Sequence, residues 1–307
     1  MIDKKIIFMG TPDIAAQHLN ILIENKLNLV GVFTQPPRKK NRGMRVEESA
    51  VHQIAKKNNI EIYYPSTIDD KVIEQTKNLK PDLIIVVAYG IILPTSFINI
   101  PKYGCINIHV SLLPRWRGAA PIEHALLEGD NKTGVSIINI TSKLDAGDIL
   151  MQESFLIDQN MYSDDLALNL TNIGKKAMIK TLPLIFENNI IGKKQDENKV
   201  TFANKFLSKD RKINFHNSTA DVYNHIRAHG PKPGSWFTYK GERIKIIKAK
   251  KTIESGQSST ILNKDFIIGC KDGGIIPLLI QREGKKTVNL DDFLRGFTFS
   301  IQDKLNV

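Results

Sequence analysis

Nearly continuous runs of Ile, Val and Phe recur along the first half of the chain and limit the folds that it can adopt. They include K-I-I-F-M at 5–9, L-N-L-V-G-V-F at 27–33 and D-L-I-I-V-V-A-Y at 82–89. The stretches between them carry apolar residues at helical spacing, for example near 48–58 and 69–78. Strands that are apolar on both faces are typical of a parallel sheet with helices on each side. The pattern therefore predicts a doubly wound α/β domain.

The chain after this first half changes character twice. A strand near 104–109 and a long helix that ends at about Phe186 complete the α/β pattern. Residues 189–206 mix charged residues and Asn with few apolar positions, which is typical of a linker. We therefore predict a first domain at 1–188, a linker at 189–206 and a second domain at 207–307.

Short strands dominate the pattern of the second domain. They read S-W-F-T-Y, R-I-K-I-I-K-A, T-I-L, F-I-I-G-C and I-I-P-L-L-I-Q, with the turns K-G-E and K-D-G-G between some of them. Five short strands in about 75 residues are typical of a small closed β-barrel.

The net charge of +11 is unevenly distributed. Residues 207–307 carry 18 Lys and Arg against 10 Asp and Glu, a net charge of +8. This excess favours a polyanionic partner, although a lysine-rich composition also arises from mutational bias. The sequence contains no apolar run near the roughly 18 residues of a membrane span and no signal-peptide core. With two distant cysteines, Cys105 and Cys270, these features predict a cytoplasmic protein that does not bind membranes.

Asn107 and His109 stand out because they place an amide and an imidazole on an otherwise apolar strand. Residues two apart on a strand face the same way, and open α/β sheets bind ligands at the carboxyl ends of their strands. An amide can stabilise an oxygen that gains negative charge, and an imidazole can exchange a proton. A purely structural pair of buried, hydrogen-bonded side chains explains the same pattern.

Asp145 lies in L-D-A-G-D, where Gly147 would let the backbone approach the sheet. A carboxylate near an imidazole orients its tautomer. Taken alone, this sequence is also an ordinary turn.

Two other patterns are weaker. G-T-P-D at 10–13 lacks the glycines of a dinucleotide or phosphate loop. His225 and His229 have the spacing of a helical metal pair, but the sequence supplies no third ligand. We therefore predict that no metal is bound.

Several motifs together resemble the methionyl-tRNA formyltransferase family. They are F-x-G-T-P-D near the start, V-V-A-Y-G-I-I-L-P at 86–94, N-I-H-x-S-L-L-P-R-W-R-G-A-A-P from Asn107, and L-D-A-G-D. The resemblance runs from Ile6 to about Val288. It implies a Rossmann-like formyltransferase domain with a parallel-rich sheet, followed by a small β-barrel (OB-like) C-terminal domain.

The resemblance also implies a reaction and a set of site residues. The family moves a formyl group from 10-formyltetrahydrofolate to the α-amine of methionyl initiator tRNA, which supports translation initiation. By resemblance, Asn107 and His109 would polarise the formyl carbonyl, and Asp145 would pair with His109. Residues Ser111, Leu112, Leu113 and Pro114 would line the folate site.

The implied partners are folate and the tRNA, and we expect a monomer. In the basic stretch T-Q-P-P-R-K-K-N-R-G-M-R at 34–45, Arg42 matches the family position that contacts tRNA, although a solvated loop explains the same charges. The barrel lysines would attract phosphates.

Val110 departs from the family pattern, which usually has Gly after the histidine. Either Val110 adopts an ordinary β conformation, or the folate pocket is reshaped.

Two rival functions stay open. One is an enzyme that formylates a sugar amine or a small amino nucleotide, or that hydrolyses formyl-folate. The other is a nucleic-acid-binding protein with an inactive α/β domain.

Overall fold

The computed structural model describes residues 3–40 and 45–306. The strands are β1 (Ile6–Gly10), β2 (Leu29–Phe33), β3 (Arg38–Lys40), β4 (Arg45–Glu47), β5 (Ile62–Tyr63), β6 (Leu83–Val87), β7 (Cys105–His109), β8 (Arg117–Gly118), β9 (Lys132–Asn139), β10 (Ile149–Leu156), β11 (Phe202–Ala203), β12 (Ser235–Tyr239), β13 (Glu242–Thr252), β14 (Ile268–Gly269), β15 (Gly274–Arg282) and β16 (Val288–Asn289). The helices are α1 (Asp13–Glu24), α2 (Ala50–Lys57), α3 (Asp70–Leu79), α4 (Thr95–Ile98), α5 (Pro121–Leu127), α6 (Ser163–Phe186), α7 (Thr219–His229) and α8 (Leu290–Arg295).

The chain divides into two compact units. The first contains Met1–Gly118, Thr133–Phe155 and Leu168–Phe202. The second contains Ala119–Lys132, Leu156–Ala167 and Ala203–Val307. Most of the predicted linker therefore lies in the first unit, while the predicted domain boundaries at residues 188 and 206 stay a prediction.

A seven-stranded sheet forms the first unit, in the order β10-β9-β7-β6-β1-β2-β5. The pairs of neighbouring strands from β7 to β5 are parallel, whereas β9 runs antiparallel to β7. All five residues of β1 and of β6 are buried, as expected for strands covered on both faces. The predicted α/β class with a parallel-rich sheet is confirmed.

The core of this unit and its helix ends follow from local sequence. Side chains such as Ile7, Met9 and Ile84 pack in one apolar cluster. The Ser49 side chain accepts a hydrogen bond from the His52 N–H at the start of α2, and Asp69 does the same at the start of α3. Such caps satisfy backbone donors that the helix leaves free.

The second unit is built on a five-stranded antiparallel sheet with the order β12-β13-β15-β14, in which β16 also pairs with β15. Its apolar core includes Ile226 of α7 and the barrel residues Phe237, Ile246 and Ile280. This sheet agrees with the predicted OB-like C-terminal domain.

One predicted strand of the barrel, T-I-L at 260–262, is wrong. Thr260 and Ile261 form only isolated bridges, to Lys304 and Ile268. Ser259, just before them, has a left-handed φ of 62°, which interrupts an extended conformation.

Within the basic stretch near residue 40, β3 and β4 pair antiparallel. Arg42, the predicted tRNA contact, lies outside the described residues. Among the residues that are described, no helix combines the length and the apolar character needed to cross a bilayer.

Candidate active site

The site forms on β7, at the point where the sheet changes from parallel to antiparallel pairing. Asn107 lies opposite Val86 of the parallel strand β6, and His109 lies opposite Ser136 of the antiparallel strand β9. Ile106 and Ile108 alternate with them and are buried. The amide and the imidazole therefore project from the same face of the sheet, as the sequence predicted.

The carboxylate of Asp145 joins this pair. Its Oδ1 accepts a hydrogen bond from Asn107 Nδ2 at 3.3 Å, and its Oδ2 lies 3.5 Å from His109 Nδ1. The Gly118 N–H also donates to Oδ2, at 2.8 Å. The side chains of His109 and Asp145 are only 6% and 12% exposed. The structure thus brings together the three side chains that were predicted to act as a group.

The backbone around Asp145 is tightly constrained. Asp145 has a left-handed φ of 47°, a conformation that non-glycine residues adopt at a cost. Two residues later, a Cβ on Gly147 would lie 1.7 Å from the carbonyl oxygen of Asn139. Only glycine fits there, so this glycine permits the close approach that the sequence suggested.

A second layer of polar contacts surrounds the Asp145 loop. Gln195 Nε2 donates to the carbonyl oxygens of Asp145 and Gly147, at 2.7 and 2.8 Å. Gln195 Oε1 accepts from Arg117 Nε and NH2 at 3.0 and 2.9 Å. The buried Arg117 also pairs with Glu197 at 2.8 Å, and this hydrogen bond lowers the pKa of the Glu197 carboxyl.

The other ring nitrogen of His109 is held by the backbone. His109 Nε2 lies 2.8 Å from the carbonyl oxygen of Trp116. Because a carbonyl only accepts, Nε2 carries the hydrogen, and Nδ1 is the nitrogen that faces Asp145. Trp116 has a φ of 66°, and its N–H donates to Thr201 Oγ1 at 2.9 Å.

The predicted folate residues follow directly after β7. Ser111 and Leu113 are buried, while Leu112 and Pro114 are half-buried. The Ser136 hydroxyl connects this stretch to β9, since it donates to the Ser111 carbonyl and accepts from the Leu113 N–H. The stretch therefore lies beside the catalytic candidates, and its contact with folate stays a prediction.

The A-Y-G stretch directly after β6, residues 88–90, is held in a particular loop conformation. The Tyr89 carbonyl accepts hydrogen bonds from Thr11 Oγ1 at 3.1 Å and from Gln35 Nε2 at 2.9 Å. Ala88 and Gly90 on either side have φ of 46° and 78°. Burial raises the pKa of the Tyr89 phenol, whose hydroxyl has no hydrogen-bond partner among the described residues.

A thiol close to the pair does not supply a nucleophile. Cys105 lies two residues before Asn107 on β7 and is 2% exposed. Burial raises the pKa of its thiol to about 12, so the thiol stays protonated at neutral pH. A mechanism through a cysteine adduct is therefore disfavoured.

Val110 is accommodated in an ordinary backbone conformation. It is half-buried and does not belong to the residues with positive φ. Of the two possibilities that the sequence left open, this geometry favours the first.

Of the two histidines of α7, His229 is buried and His225 is half-buried, and both make contacts within the protein. His225 Nε2 lies 3.0 Å from the Asp210 carbonyl, and the His229 ring packs edge-on against Phe206. Burial lowers the pKa of His229 to about 4. Within the described ranges, no three His, Cys, Asp or Glu residues come together as a metal site.

Sequence reasoning missed the residues that hold the site in place, which are Trp116, Arg117, Gly118, Gln195 and Thr201. Arg117 and Gln195 are separated by 78 positions, and no periodicity relates them. The only signal was the presence of Gln195 next to two acidic residues in a stretch with few apolar positions.

Comparison with known proteins adds independent information. The family model described as formyl transferase matches residues 4–182, and the model for the formyl transferase C-terminal domain matches residues 205–298.

Relatives match nearly the whole chain. A methionyl-tRNA formyltransferase from Ehrlichia canis is 40% identical over 300 residues, covering 95% of this chain and 97% of its own. One from Wolbachia pipientis is 41% identical over 303 residues, covering 98% and 99%.

Solved structures share the fold. An N-formyltransferase from Helicobacter canadensis, in complex with folinic acid and dTDP-3-aminofucose, matches 92% of this chain and 100% of its own with a TM-score of 0.69 at 24% identity. A methionyl-tRNA formyltransferase from Clostridium thermocellum matches 80% and 93% with a TM-score of 0.56 at 17% identity. At these identities the likeness concerns the fold alone.

Proposed function

The chain belongs to the methionyl-tRNA formyltransferase family, and from this premise we propose that it transfers a formyl group from 10-formyltetrahydrofolate to the α-amine of methionyl initiator tRNA. The observation that carries the proposal is the convergence of Asn107, His109 and Asp145 at 3.3 and 3.5 Å on one face of the sheet. An amide, an imidazole and a carboxylate at these distances suit acyl transfer to an amine.

The chemistry requires one bond to form and one to break. The lone pair of the α-amine forms a new bond to the formyl carbon, and the bond between that carbon and the folate nitrogen breaks. The amine loses one proton and the folate nitrogen gains one. A free α-amine has a pKa of about 7.7–8.0, so an appreciable fraction is already nucleophilic near neutral pH. No covalent intermediate on the enzyme is needed.

Asn107 stabilises the negative oxygen that develops on the formyl group. One hydrogen of its amide nitrogen is used by Asp145 Oδ1. The nitrogen carries a second hydrogen, and this donor is free to bind the oxyanion. Because the amide is already oriented by Asp145, little reorganisation accompanies the reaction.

His109 and Asp145 transfer the proton that the attacking amine loses. The Trp116 carbonyl keeps a hydrogen on Nε2, so Nδ1 is the position at which the imidazole gains or loses a proton. Asp145 Oδ2, 3.5 Å away, stabilises the imidazolium that results. The pair can therefore take the proton from the attacking amine and return it to the leaving folate nitrogen.

The donor and the tRNA account for other features of the chain. We infer that residues 111–114 and the V-V-A-Y-G-I-I-L-P stretch at 86–94 line the folate site. The net charge of +8 on residues 207–307 and the cations of the basic stretch at 34–45, which include Arg42, support binding of a polyanion. We also infer that the enzyme is a monomer that acts in the cytoplasm without a metal.

One assay separates this function from its rivals. The protein is incubated with 10-formyltetrahydrofolate and, in separate reactions, with charged initiator tRNA, uncharged tRNA or small amines such as an aminosugar nucleotide. Formylation of the charged tRNA alone is expected. Formylation of the small amines alone, or release of formate without an acceptor, would establish the rival enzymes. Binding of uncharged tRNA without any turnover would establish a nucleic-acid-binding protein without catalysis.

A further inference from the structure

Residues 195–201, which fall in the predicted linker, contact both loops that complete the active site. Gln195 contacts the loop that carries Asp145, and Thr201 contacts the loop that carries Trp116. We call residues 195–201 the clasp segment. These contacts lie within the first compact unit.

The amide of Gln195 is fully used by these contacts. Its nitrogen donates to the carbonyl oxygens of Asp145 and Gly147 at 2.7 and 2.8 Å, and its oxygen accepts two hydrogen bonds from Arg117 at 2.9 and 3.0 Å. A flipped amide would set its oxygen against the two carbonyls and its NH2 against the guanidinium. The orientation of the side chain is therefore fixed from both sides.

Both carbonyl oxygens that accept hydrogen bonds from Gln195 belong to the constrained turn around Asp145. Asp145 has a left-handed φ of 47°, and Gly147 lies against the Asn139 carbonyl. A non-glycine residue keeps such a conformation only where its surroundings enforce it. Gln195 bonds the backbone on both sides of Ala146, so these two hydrogen bonds restrain the turn.

Arg117 connects the same glutamine to the other contact of the carboxylate. Its side chain is 5% exposed and is also bound by Glu197. The next residue, Gly118, donates its N–H to Asp145 Oδ2 at 2.8 Å. Gln195 is thus bound to the backbone of Asp145 directly and, through Arg117, to the chain that binds its carboxylate.

We propose that Gln195 is a positioning residue for formyl transfer, which holds the Asp145 carboxylate against Asn107 and His109, and that the clasp segment is a functional part of the active site. The proposed effect of Gln195 on catalysis rests on the function proposed above. The loop-holding role is tested separately, by a measurement that needs no turnover.

Two substitutions that keep the length of the Gln195 side chain test the proposal. Gln195→Glu removes both donors but keeps an acceptor for Arg117, and Gln195→Met removes donors and acceptor without adding charge. Asn189→Leu is the matched control, because Asn189 is exposed in the same predicted linker and its side chain donates to Glu187. Each full-length protein is compared with the unaltered protein by hydrogen exchange of peptides covering residues 140–148, by thermal unfolding, and by kcat and KM for formyl transfer.

We expect both Gln195 variants to exchange faster at 140–148 than the unaltered protein, with β1 unchanged. We expect kcat to fall about 10- to 100-fold, since misplacing a catalytic group by about 1 Å has effects of this size, and KM for tRNA to stay within about twofold. The pH dependence of kcat should also change, because the distance between the imidazole and the carboxylate changes.

Other results would overturn the proposal. Unchanged exchange at 140–148 would show that Gln195 does not hold the loop. Faster exchange with kcat within about twofold of the control would show that the loop does not need holding for catalysis. If the unaltered protein formylates nothing, the proposed function fails, while the exchange data still decide whether Gln195 holds the loop.

Discussion

Replacing Asn107 with Ala tests the electrostatic core of the proposed mechanism. The substitution removes the amide that would donate to the oxyanion and leaves the neighbouring backbone of β7 intact. The loss of one such donor raises the activation free energy by roughly 2.7–4 kcal/mol in acyl-transfer enzymes. At about 1.36 kcal/mol for each factor of ten, kcat should fall about 10²- to 10³-fold.

Asn107→Ala should have little effect on how the substrates bind before they react. The bond from Asn107 to Asp145 measures 3.3 Å, which is long compared with the usual 2.9–3.0 Å. Asp145 keeps its bond from the Gly118 N–H at 2.8 Å. The carboxylate should therefore stay in place, and KM for both substrates should change by less than about threefold.

Steady-state formylation of charged initiator tRNA, with each substrate varied in turn, measures both constants. Asn99→Ala, in an exposed position at the end of α4, serves as the control and should retain full activity. The reasoning is refuted if Asn107→Ala keeps kcat within about tenfold of the control. It is equally refuted if KM rises and kcat does not change, because the amide would then stabilise the ground state and the transition state to the same extent.

Four further outcomes follow from the structure. Burial lowers the pKa of His18 and His229 from 6.5 to about 4, so the folded protein disfavours their charged forms. The free energy of unfolding should therefore be highest above about pH 6.5. It should fall as the pH drops towards 4, by up to about 3 kcal/mol per histidine. Denaturant unfolding at pH 7.5 and 5 checks this, and His18→Leu should flatten the dependence. Gly147→Ala should abolish most activity and lower the melting temperature, whereas Gly296→Ala, where a Cβ meets nothing within 4 Å, should do neither. Affinity for tRNA should fall steeply between low and physiological salt, and a flat response in a filter-binding assay would remove the electrostatic role of the basic second unit. Val110→Gly should leave kcat within about threefold, because Val110 needs no left-handed backbone; a large gain would mean that valine obstructs the folate site.

The sequence predicted well those features that depend on local pattern. Continuous apolar runs located β1 and β6 correctly, because a strand buried on both faces has no polar side. Asn107 and His109 were expected side by side, and strand periodicity alone requires this. Asp145 was expected near them through the resemblance and the glycine that follows it, and its contacts at 3.3 and 3.5 Å agree with that expectation.

Features that depend on distant contacts could not be read from the sequence. Gln195 looks like any polar residue of a linker until the fold places it on the carbonyls of Asp145 and Gly147. The same holds for Trp116, whose carbonyl fixes the tautomer of His109. A backbone carbonyl carries no sequence signal, so its role appears only once the chain is folded.

The wrong prediction of a strand at 260–262 has a different cause. Its three residues have strand-forming character, and Thr260 and Ile261 do form bridges. The left-handed Ser259 before them and the αL residue Phe266 after them set the conformation instead. The strand preference of a short segment depends on its context and can yield to the backbone conformation of its neighbours.

The bonds from Gln195 and Thr201 to the loops of Asp145 and Trp116 affect how this protein can be divided or recombined. A fragment cut at residue 188, where the helical pattern stops, would lack both side chains. In that fragment, Asp145 would have to keep its left-handed backbone conformation without the hydrogen bonds from the Gln195 amide. Expression of an isolated catalytic half, or a chimera with a foreign nucleic-acid-binding module, should therefore place the junction after residue 203. A shorter piece can retain Asn107, His109 and Asp145 and still be a poor catalyst.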